Sequence, residues 1–441
     1  MEDRNHSKTP SQMIRCLSQG AVIGGIVGTV IFFFKLVAHH LEELSLHIYS
    51  TAKESPFLAI CVFAGLILLA VSMYLLHQFA PESKGGGIPR ATGIMRATLK
   101  FRRLRTFIAT TIGSLISFFA GLPLGSEGPG VLIGTSLGSI FTSPDKKEGW
   151  GQYAPTAGAG AGFAVATGAP ITSIIFIIEE VHRRMTVSLV LITSVSALTA
   201  SFVNSALCEA FGISPSLFNI ATLPEFSLTH LGYVLLLGVL IAVFVWLFDV
   251  CVISFKRLMD KAKGRIRDIF KLIFVFAAVG AVGFVYPTAL YSGHGLILGI
   301  VDSSMAIELL VLLFLWRFIM IIFTSSSKAT GGSFVPTLCI GALAGALSFE
   351  LLSLIGMPRE YCSIVILISM CAFLGGTMRA PLTATLFFIE ATAQSSNLLY
   401  AALVIFVVHF ITTTAGKHSF NDVMLEEMVT EQAKTEIRNL S

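Results

Sequence analysis

Long apolar runs separated by short polar stretches follow one another along most of the chain. Residues 231–252, 307–323 and 398–411 form runs near the roughly 20 residues that a helix needs to cross a bilayer. Other apolar segments, such as residues 87–97 and 170–180, are too short to cross and begin at glycine or proline. We interpret these as half-helices and re-entrant pieces buried within protein. The pattern predicts an all-α polytopic membrane protein.

Two short templates each occur twice along the chain. The frame G-S-x-x-P-x-x-x-I-G begins at Gly125 and again at Gly332, and the frame A-P-x-T-x-x-x-F-x-I-E begins at Ala169 and again at Ala380. The two frames lie 44 residues apart in the first copy and 48 in the second. Because both frames recur in the same order at similar spacing, a whole unit is repeated. Duplicated membrane units with interrupted helices are typical of transporters.

The composition excludes a soluble domain. Only 13% of the 441 residues are charged, whereas soluble proteins carry about a quarter. The net charge of +4 does not indicate nucleic-acid binding, because the basic residues fall in short loops at residues 100–105, 182–184 and 256–267. The positive-inside rule places these loops in the cytoplasm. The seven cysteines contain no C-x-x-C pair, and we expect neither disulfides nor a metal or other cofactor.

The chain divides into one membrane domain with two halves. The first A-P copy ends at Glu179 and Glu180 and continues into a basic loop, whereas the second ends at Glu390 and continues without a cation. This difference predicts opposite orientations, and therefore an inverted repeat. The predicted parts are an N-terminal cytoplasmic segment at 1–16, a first repeat at 17–209, a linker at 210–228, a second repeat at 229–414 and a C-terminal helix or tail at 415–441.

Three openings rich in glycine and proline, at residues 85–89, 125–129 and 332–336, each precede an apolar helix. Proline is tolerated in a first helical turn, and glycine lets the backbone approach a ligand. Each opening therefore leaves free amides and the positive end of a helix dipole at membrane depth. Several such ends together would bind an anion, although a single opening could equally be a kink for helix packing.

Glu127 lies in the first turn of a predicted half-helix, where an ionised carboxylate is costly and usually functional. It could compete with an anion for the helix end, or take up a proton and leave; the alternative is a helix-capping role. Glu179 has a repeat partner in Glu390, so we interpret both as structural acids. Glu180 has no such partner, which makes it the better candidate for a proton relay.

The three openings, in the forms G-x-G-I-P, G-x-E-G-P and G-x-F-x-P, resemble the CLC family of chloride channels and chloride/proton exchangers. The resemblance covers nearly the whole membrane domain. It implies a CLC-like inverted repeat with re-entrant half-helices, and a homodimer with one anion path per subunit. It also implies that Glu127 is the external gate and proton carrier and Glu180 the internal proton-transfer acid. That second acid is typical of the exchangers and missing from the channels.

The resemblance further implies that the anion is bound by Gly86, Gly87, Ile88, Gly128, Ser333, Phe334 and Phe420. Three positions depart from the family pattern. Gly86 replaces the central serine, Phe420 replaces the central tyrosine, and Ser126 replaces the arginine before the gating glutamate. Losing two hydroxyl donors should weaken the central anion site by a few kcal/mol at most.

The sequence therefore predicts a secondary-active chloride/proton antiporter, and no enzyme. Its expected partners are chloride, protons and the lipid bilayer of a cell membrane, such as a bacterial inner membrane. The alternatives are a passive anion channel gated by protonation of Glu127, and a weakly coupled or fluoride-type exchanger. The order of anion selectivity, the stoichiometry and the physiological direction stay open.

Overall fold

The computed structural model describes residues 10–142, 153–215, 217–218, 220, 223–261, 264–302, 305–416 and 419–440. These residues form seventeen α-helices: α1 Pro10–Ala52, α2 Pro56–Phe79, α3 Gly87–Met95, α4 Arg103–Phe119, α5 Glu127–Gly138, α6 Ala154–Thr167, α7 Pro170–Phe176, α8 Val187–Phe211, α9 Leu231–Lys261, α10 Arg265–Val285, α11 His294–Asp302, α12 Ile307–Ser327, α13 Phe334–Leu354, α14 Cys362–Met378, α15 Pro381–Thr392, α16 Leu398–Ala415 and α17 Phe420–Leu440. The fold is all-α, as the hydropathy pattern predicts.

Nine helices within the described ranges are long and apolar enough to cross a membrane. The three spans predicted from hydropathy belong to α9, α12 and α16, and each helix extends beyond the predicted run. The first helix begins at Pro10, well before the predicted start of the first repeat, because its polar first turns continue the same helix. Six short helices in the described part of the chain, α3, α5, α6, α7, α11 and α15, have 7 to 14 residues and cannot cross a bilayer alone.

The two halves contain the same helices in the same order. Helices α1 to α8 form the first half and α9 to α16 the second, and both frames of the repeat fall on corresponding helices. The G-S frame opens α5 and α13, and the A-P frame opens α7 and α15. Equivalent packing recurs, since α5 packs on α6 as α13 packs on α14. The duplicated templates therefore mark a duplicated fold.

A carboxylate from each half caps a helix of the other half. Glu179 accepts hydrogen bonds from two backbone amides at the start of α15 (3.0 and 2.7 Å) and from the Thr383 hydroxyl (2.7 Å). Glu390 does the same at the start of α7, at 2.9 and 2.6 Å from the amides and 2.6 Å from the Thr172 hydroxyl. Each charge lies at the positive end of a helix dipole, where it is stabilising. The two acids thus join the repeats symmetrically.

A row of aromatic rings crosses the boundary between the halves. Phe176 stacks on Phe163 with ring centroids 4.5 Å apart, and Phe163 meets Phe334 edge-on at 5.2 Å. Phe334 in turn meets Phe387 edge-on at 5.3 Å. All four rings are buried. Phe176 and Phe387 are the phenylalanines of the two A-P frames, so these repeat positions form part of the shared core.

The last helix, α17, lies across the side of the fold where the basic loops converge. Its acids pair with cations from four separate segments of the chain. The pairs are Arg183–Asp422 at 2.7 Å, Lys256–Glu427 at 2.5 Å, Lys328–Glu431 at 3.0 Å and Lys100–Glu436 at 3.2 Å. Most of these pairs are partly exposed and each contributes little. Because they are spread along α17, together they hold the helix against four other segments of the chain.

The three glycine-rich openings lie in backbone contact. Gly125 and Gly332 exchange two hydrogen bonds, with N···O distances of 2.7 and 2.8 Å. A Cβ atom added at Gly87 would lie 2.0 Å from the carbonyl oxygen of Gly128, and one added at Gly128 would lie 2.8 Å from the Cα of Gly332. Only residues without a side chain allow this approach.

This contact makes Gly87 a sharp test of the fold. We expect Gly87→Ala to prevent accumulation of folded protein, because its methyl group meets backbone rather than a movable side chain. A Cβ at the neighbouring Gly86 would have its nearest contact at 3.5 Å, so Gly86→Ala should fold normally. Size-exclusion chromatography in detergent compares the two variants. Equal, monodisperse yields would show that the opening is looser than the backbone distances imply.

Candidate functional site

A narrow cavity lies where the three openings meet the start of α17. It is lined by the first opening through residues 85–89, by Gly128, by residues 331–333 and by Phe420 and Asn421. The first opening, the second and the third therefore reach one place, although more than 200 residues separate the first from the third. Six of the sixteen lining residues are glycines, so part of the lining is bare backbone.

Three helices begin beside this cavity. Helix α3 begins at Gly87, α5 at Glu127 and α13 at Phe334. The first amides of a helix have no partner within the helix, and the dipole makes this end positive. The arrangement offers an anion several donors without placing a full positive charge in the membrane. The cavity is therefore chemically suited to a small anion.

Glu127 is the first residue of α5, and only 2% of it is exposed. Ser126 donates its hydroxyl to Oε1 at 3.2 Å, and the backbone amides of Glu127 and Val335 face the carboxylate. A Cβ at Gly125 would lie 2.3 Å from Oε2, so the side chain folds back over that glycine. The carboxylate thus occupies a position between the starts of α5 and α13, where a free anion would otherwise find donors.

Lys35 is a functional candidate that the sequence reasoning missed. It lies on α1, and its ammonium donates to the carbonyls of Val165 and Ala166 at 3.0 and 3.2 Å, near the end of α6. It is close enough for its charge to act on Glu127. Ser126 stands where the family pattern has an arginine, and Lys35 supplies a cation from another helix. The available signal was a single lysine within a long apolar helix.

Glu180 lies in the π-helical turn Ile177–His182 that continues α7, and 4% of it is exposed. Its Oε1 accepts a hydrogen bond from the Asn421 side-chain amide at 3.1 Å, and Arg183 lies 3.7 Å from Oε2. Arg96 binds the backbone carbonyls of Glu180 and Val181. Such π-helical turns often occur at functional sites. The turn directs Glu180 towards the start of α17.

The structure brings together most, but not all, of the residues predicted to bind the anion. Those that line the one cavity are Gly86, Gly87, Ile88, Gly128, Ser333 and Phe420. Phe334 starts α13, but its ring lies in the aromatic row of the core. Glu127 and Glu180 lie near the cavity but are not part of its lining. Sequence reasoning did not find Ser325 and Asn421, two polar residues that also line it.

Both the sequence and the fold resemble those of known proteins. The sequence matches the family described as "Voltage gated chloride channel" over residues 64–413. A structure of a slow cyanobacterial Cl⁻/H⁺ antiporter is 24% identical, with a TM-score of 0.87, and the match covers 97% of this chain and 100% of that chain.

Two further solved structures share the fold. A CLC-type fluoride/proton antiporter is 20% identical with a TM-score of 0.76, covering 92% of this chain and 98% of that chain. A eukaryotic CLC transporter is 22% identical with a TM-score of 0.76, covering 93% of this chain and 74% of that chain. The family match spans most of the sequence, and the structural matches span nearly all of the fold. The chain belongs to the voltage gated chloride channel family, that is, the CLC family.

Proposed function

We propose that this protein is a secondary-active chloride/proton antiporter. The observation that carries the proposal is the pair of buried carboxyl groups on either side of the glycine-lined cavity. Glu127 occupies the helix ends on one side, and Glu180 is reached through Asn421 on the other. A gate needs only one titratable group. Moving protons through the protein needs a second group, which takes the proton from the first and passes it to the other side. Two buried acids therefore favour exchange over a passive channel.

In this proposal, Glu127 competes with the transported anion. Its ionised carboxylate occupies the place beside the positive ends of α5 and α13, and an arriving chloride displaces the carboxylate from it. A carboxylate that takes up a proton loses its attraction to the helix ends and leaves the path open. The same group then carries a proton and frees an anion site. This links the two movements without any change in the helix framework.

Glu180 is proposed to exchange protons with the cytoplasm. It lies beside the basic residues that follow α7, which the positive-inside rule places on that side. It does not line the anion cavity, so proton and anion leave by separate routes. Glu179 is unsuited to the same task, because three hydrogen bonds engage its carboxylate at the start of α15.

A second candidate function is a fluoride-type exchanger or a passive anion channel. It is favoured by the cavity at Gly86 and Phe420, where the hydroxyl donors of the family pattern are missing. Fewer side-chain donors would bind chloride weakly and loosen its coupling to protons. Proteoliposomes with an imposed anion gradient and a pH electrode separate the candidates. Uphill proton movement driven by chloride identifies a chloride exchanger, movement driven only by fluoride a fluoride exchanger, and downhill anion flow alone a channel.

We further propose that the protein works as a homodimer in a cell membrane, such as a bacterial inner membrane. The proposal rests on the family resemblance and on nine candidate spans within the described ranges. Each protomer contains all three openings, Glu127 and Glu180, so each would have its own anion path. Cross-linking in native membranes tests the dimer.

We expect Glu127→Gln to abolish proton movement while anion flux continues. The neutral amide resembles the protonated, displaced carboxyl but cannot release a proton. Both fluxes are measured in the same proteoliposomes, by a pH electrode and a chloride electrode. Chloride-driven proton uptake at the wild-type rate would contradict the role given to Glu127.

We expect Glu180→Gln to impair proton movement and to spare chloride flux, because Glu180 lies off the anion cavity. Glu179→Gln is the matched control, since it changes the adjacent acid in the same way. It weakens the cap on α15 and should lower the melting temperature, but it should leave the proton-to-chloride ratio unchanged. Loss of proton movement in Glu179→Gln alone would mean that the assignment of the two acids is reversed.

We expect Gly86→Ser to tighten chloride binding. The new side chain has room, since a Cβ there has its nearest neighbour at 3.5 Å. A hydrogen bond to a charged group contributes roughly 1.5–3 kcal/mol before the cost of ordering it, which corresponds to roughly 10- to 150-fold in affinity. Isothermal titration calorimetry compares the wild type, Gly86→Ser and Gly86→Ala. Equal affinities for all three would show that backbone amides or water already replace the missing hydroxyl.

A further inference from the structure

Asn421 connects two parts of the protein that are otherwise separate. It is the second residue of α17, it is buried, and it lines the cavity between Gly86 and Phe420. Its side-chain amide also donates to Oε1 of Glu180 at 3.1 Å. Within the described residues, no other residue both lines this cavity and hydrogen-bonds the Glu180 carboxylate.

The other charged groups around Glu180 are already engaged. Arg183 makes two hydrogen bonds to Asp422, at 2.8 and 2.7 Å, and stands 3.7 Å from Glu180. Arg96 binds backbone carbonyls, and the ring of His182 contacts the Thr156 hydroxyl at 3.0 Å. Asn421 therefore supplies the direct hydrogen bond to the carboxylate itself.

Asp422 does not compete with Glu180 for a proton near neutral pH. Burial alone would raise the pKa of Asp422, but the hydrogen bonds and charge of Arg183, with hydrogen bonds from Ser419, hold that pKa below its ordinary value. Asp422 thus stays ionised while Glu180 changes its charge. Its pair with Arg183 keeps the start of α17, and with it Asn421, in place.

A primary amide can change which hydrogen bonds it makes when its partner gains or loses a proton. It has two N–H donors and one carbonyl acceptor, whereas an ionised carboxylate only accepts. While Glu180 is ionised, an N–H of Asn421 is bound to it. A protonated Glu180 becomes a donor and is best met by the Asn421 carbonyl. Rotation about the Cβ–Cγ bond of Asn421 exchanges the positions of its N–H groups and its carbonyl. The carbonyl then faces Glu180, and both N–H groups are released from it.

We propose that Asn421 is a positioning residue that couples protonation of Glu180 to anion binding in the cavity at Gly86. Protonation of Glu180 turns the Asn421 amide, whose freed N–H groups then donate to the anion. By linkage, a bound anion favours the proton on Glu180 to the same extent. The amide thus does part of what the missing hydroxyls at Gly86 and Phe420 would do, but only in one protonation state. This inference rests on the proposed role of Glu180 and not on antiport itself.

The experiment measures binding rather than transport. Chloride is titrated calorimetrically into purified protein in the Glu127→Gln background, which removes the other titrating gate. Burial raises the pKa of Glu180 to about 7, so measurements at about pH 5 and about pH 8 lie on either side of its titration. We expect affinity to be about fivefold or more higher in acid, the size of an ordinary coupling between sites. Glu180→Gln in the same background should abolish the difference.

Asn421→Leu is the decisive variant, because leucine has nearly the same shape but no donor or acceptor. We expect it to reduce the pH difference in chloride affinity to less than about twofold. Asn421→Ala repeats the test with a smaller side chain, should leucine prevent folding. Leu425→Met, a change of similar size at a buried α17 residue that does not line the cavity, is the matched control and should keep the full difference.

Two results would overturn the proposal. If the pH difference survives Asn421→Leu but not Glu180→Gln, the Glu180 charge acts on the anion directly and Asn421 has no coupling role. If the background protein has no pH difference at all, Glu180 and the anion are uncoupled. Neither result bears on antiport, which the proton uptake of the wild-type proteoliposomes decides separately.

Discussion

The two hydrogen bonds exchanged by Gly125 and Gly332 are the constraint on which the rest of the site depends. They join the openings of the two repeats back to back, and no side chain fits between them. Because each glycine lies two residues before a helix, this contact also sets where the positive ends of α5 and α13 lie. The first opening packs against the same point through Gly87. How closely these three segments of the chain approach one another determines the glycine-lined cavity at their meeting point.

A site of this kind can bind an anion without holding it too tightly. The full charge of a buried lysine or arginine inside the cavity would bind an anion strongly and slow its release. Helix ends and amides carry only partial charges, which are distributed over several groups. Glu127 depends on the same property, since helix ends that are suited to a small anion also stabilise its carboxylate. Lys35 adds a full charge nearby, but two carbonyls at the end of α6 hold its ammonium. Its charge therefore acts on Glu127 from outside the lining of the cavity.

Helix α17 belongs to the site as much as the repeats do. It has no counterpart in either repeat, yet its first two residues, Phe420 and Asn421, complete the cavity. Ion pairs to four separate segments hold α17 against the membrane domain. The pair between Lys256 and Glu427 is largely buried. The helix thereby connects the cavity to Glu180, which neither repeat does alone. Weak pairs acting together are enough, because they only have to fix one helix.

The sequence by itself determined the helical class, the duplication and the local chemistry of the openings. Hydropathy and repeated glycine, proline and acidic positions are local signals, so Glu127 at the start of a helix and the half-helix at α7 could be predicted from them. What only the tertiary structure decided are contacts between residues far apart in the chain. The mutual caps of Glu179 and Glu390, the approach of Lys35 to Glu127 and the bridge from Asn421 to Glu180 are of this kind. Packing selects these partners from many chemically equivalent residues, and no local pattern records that selection.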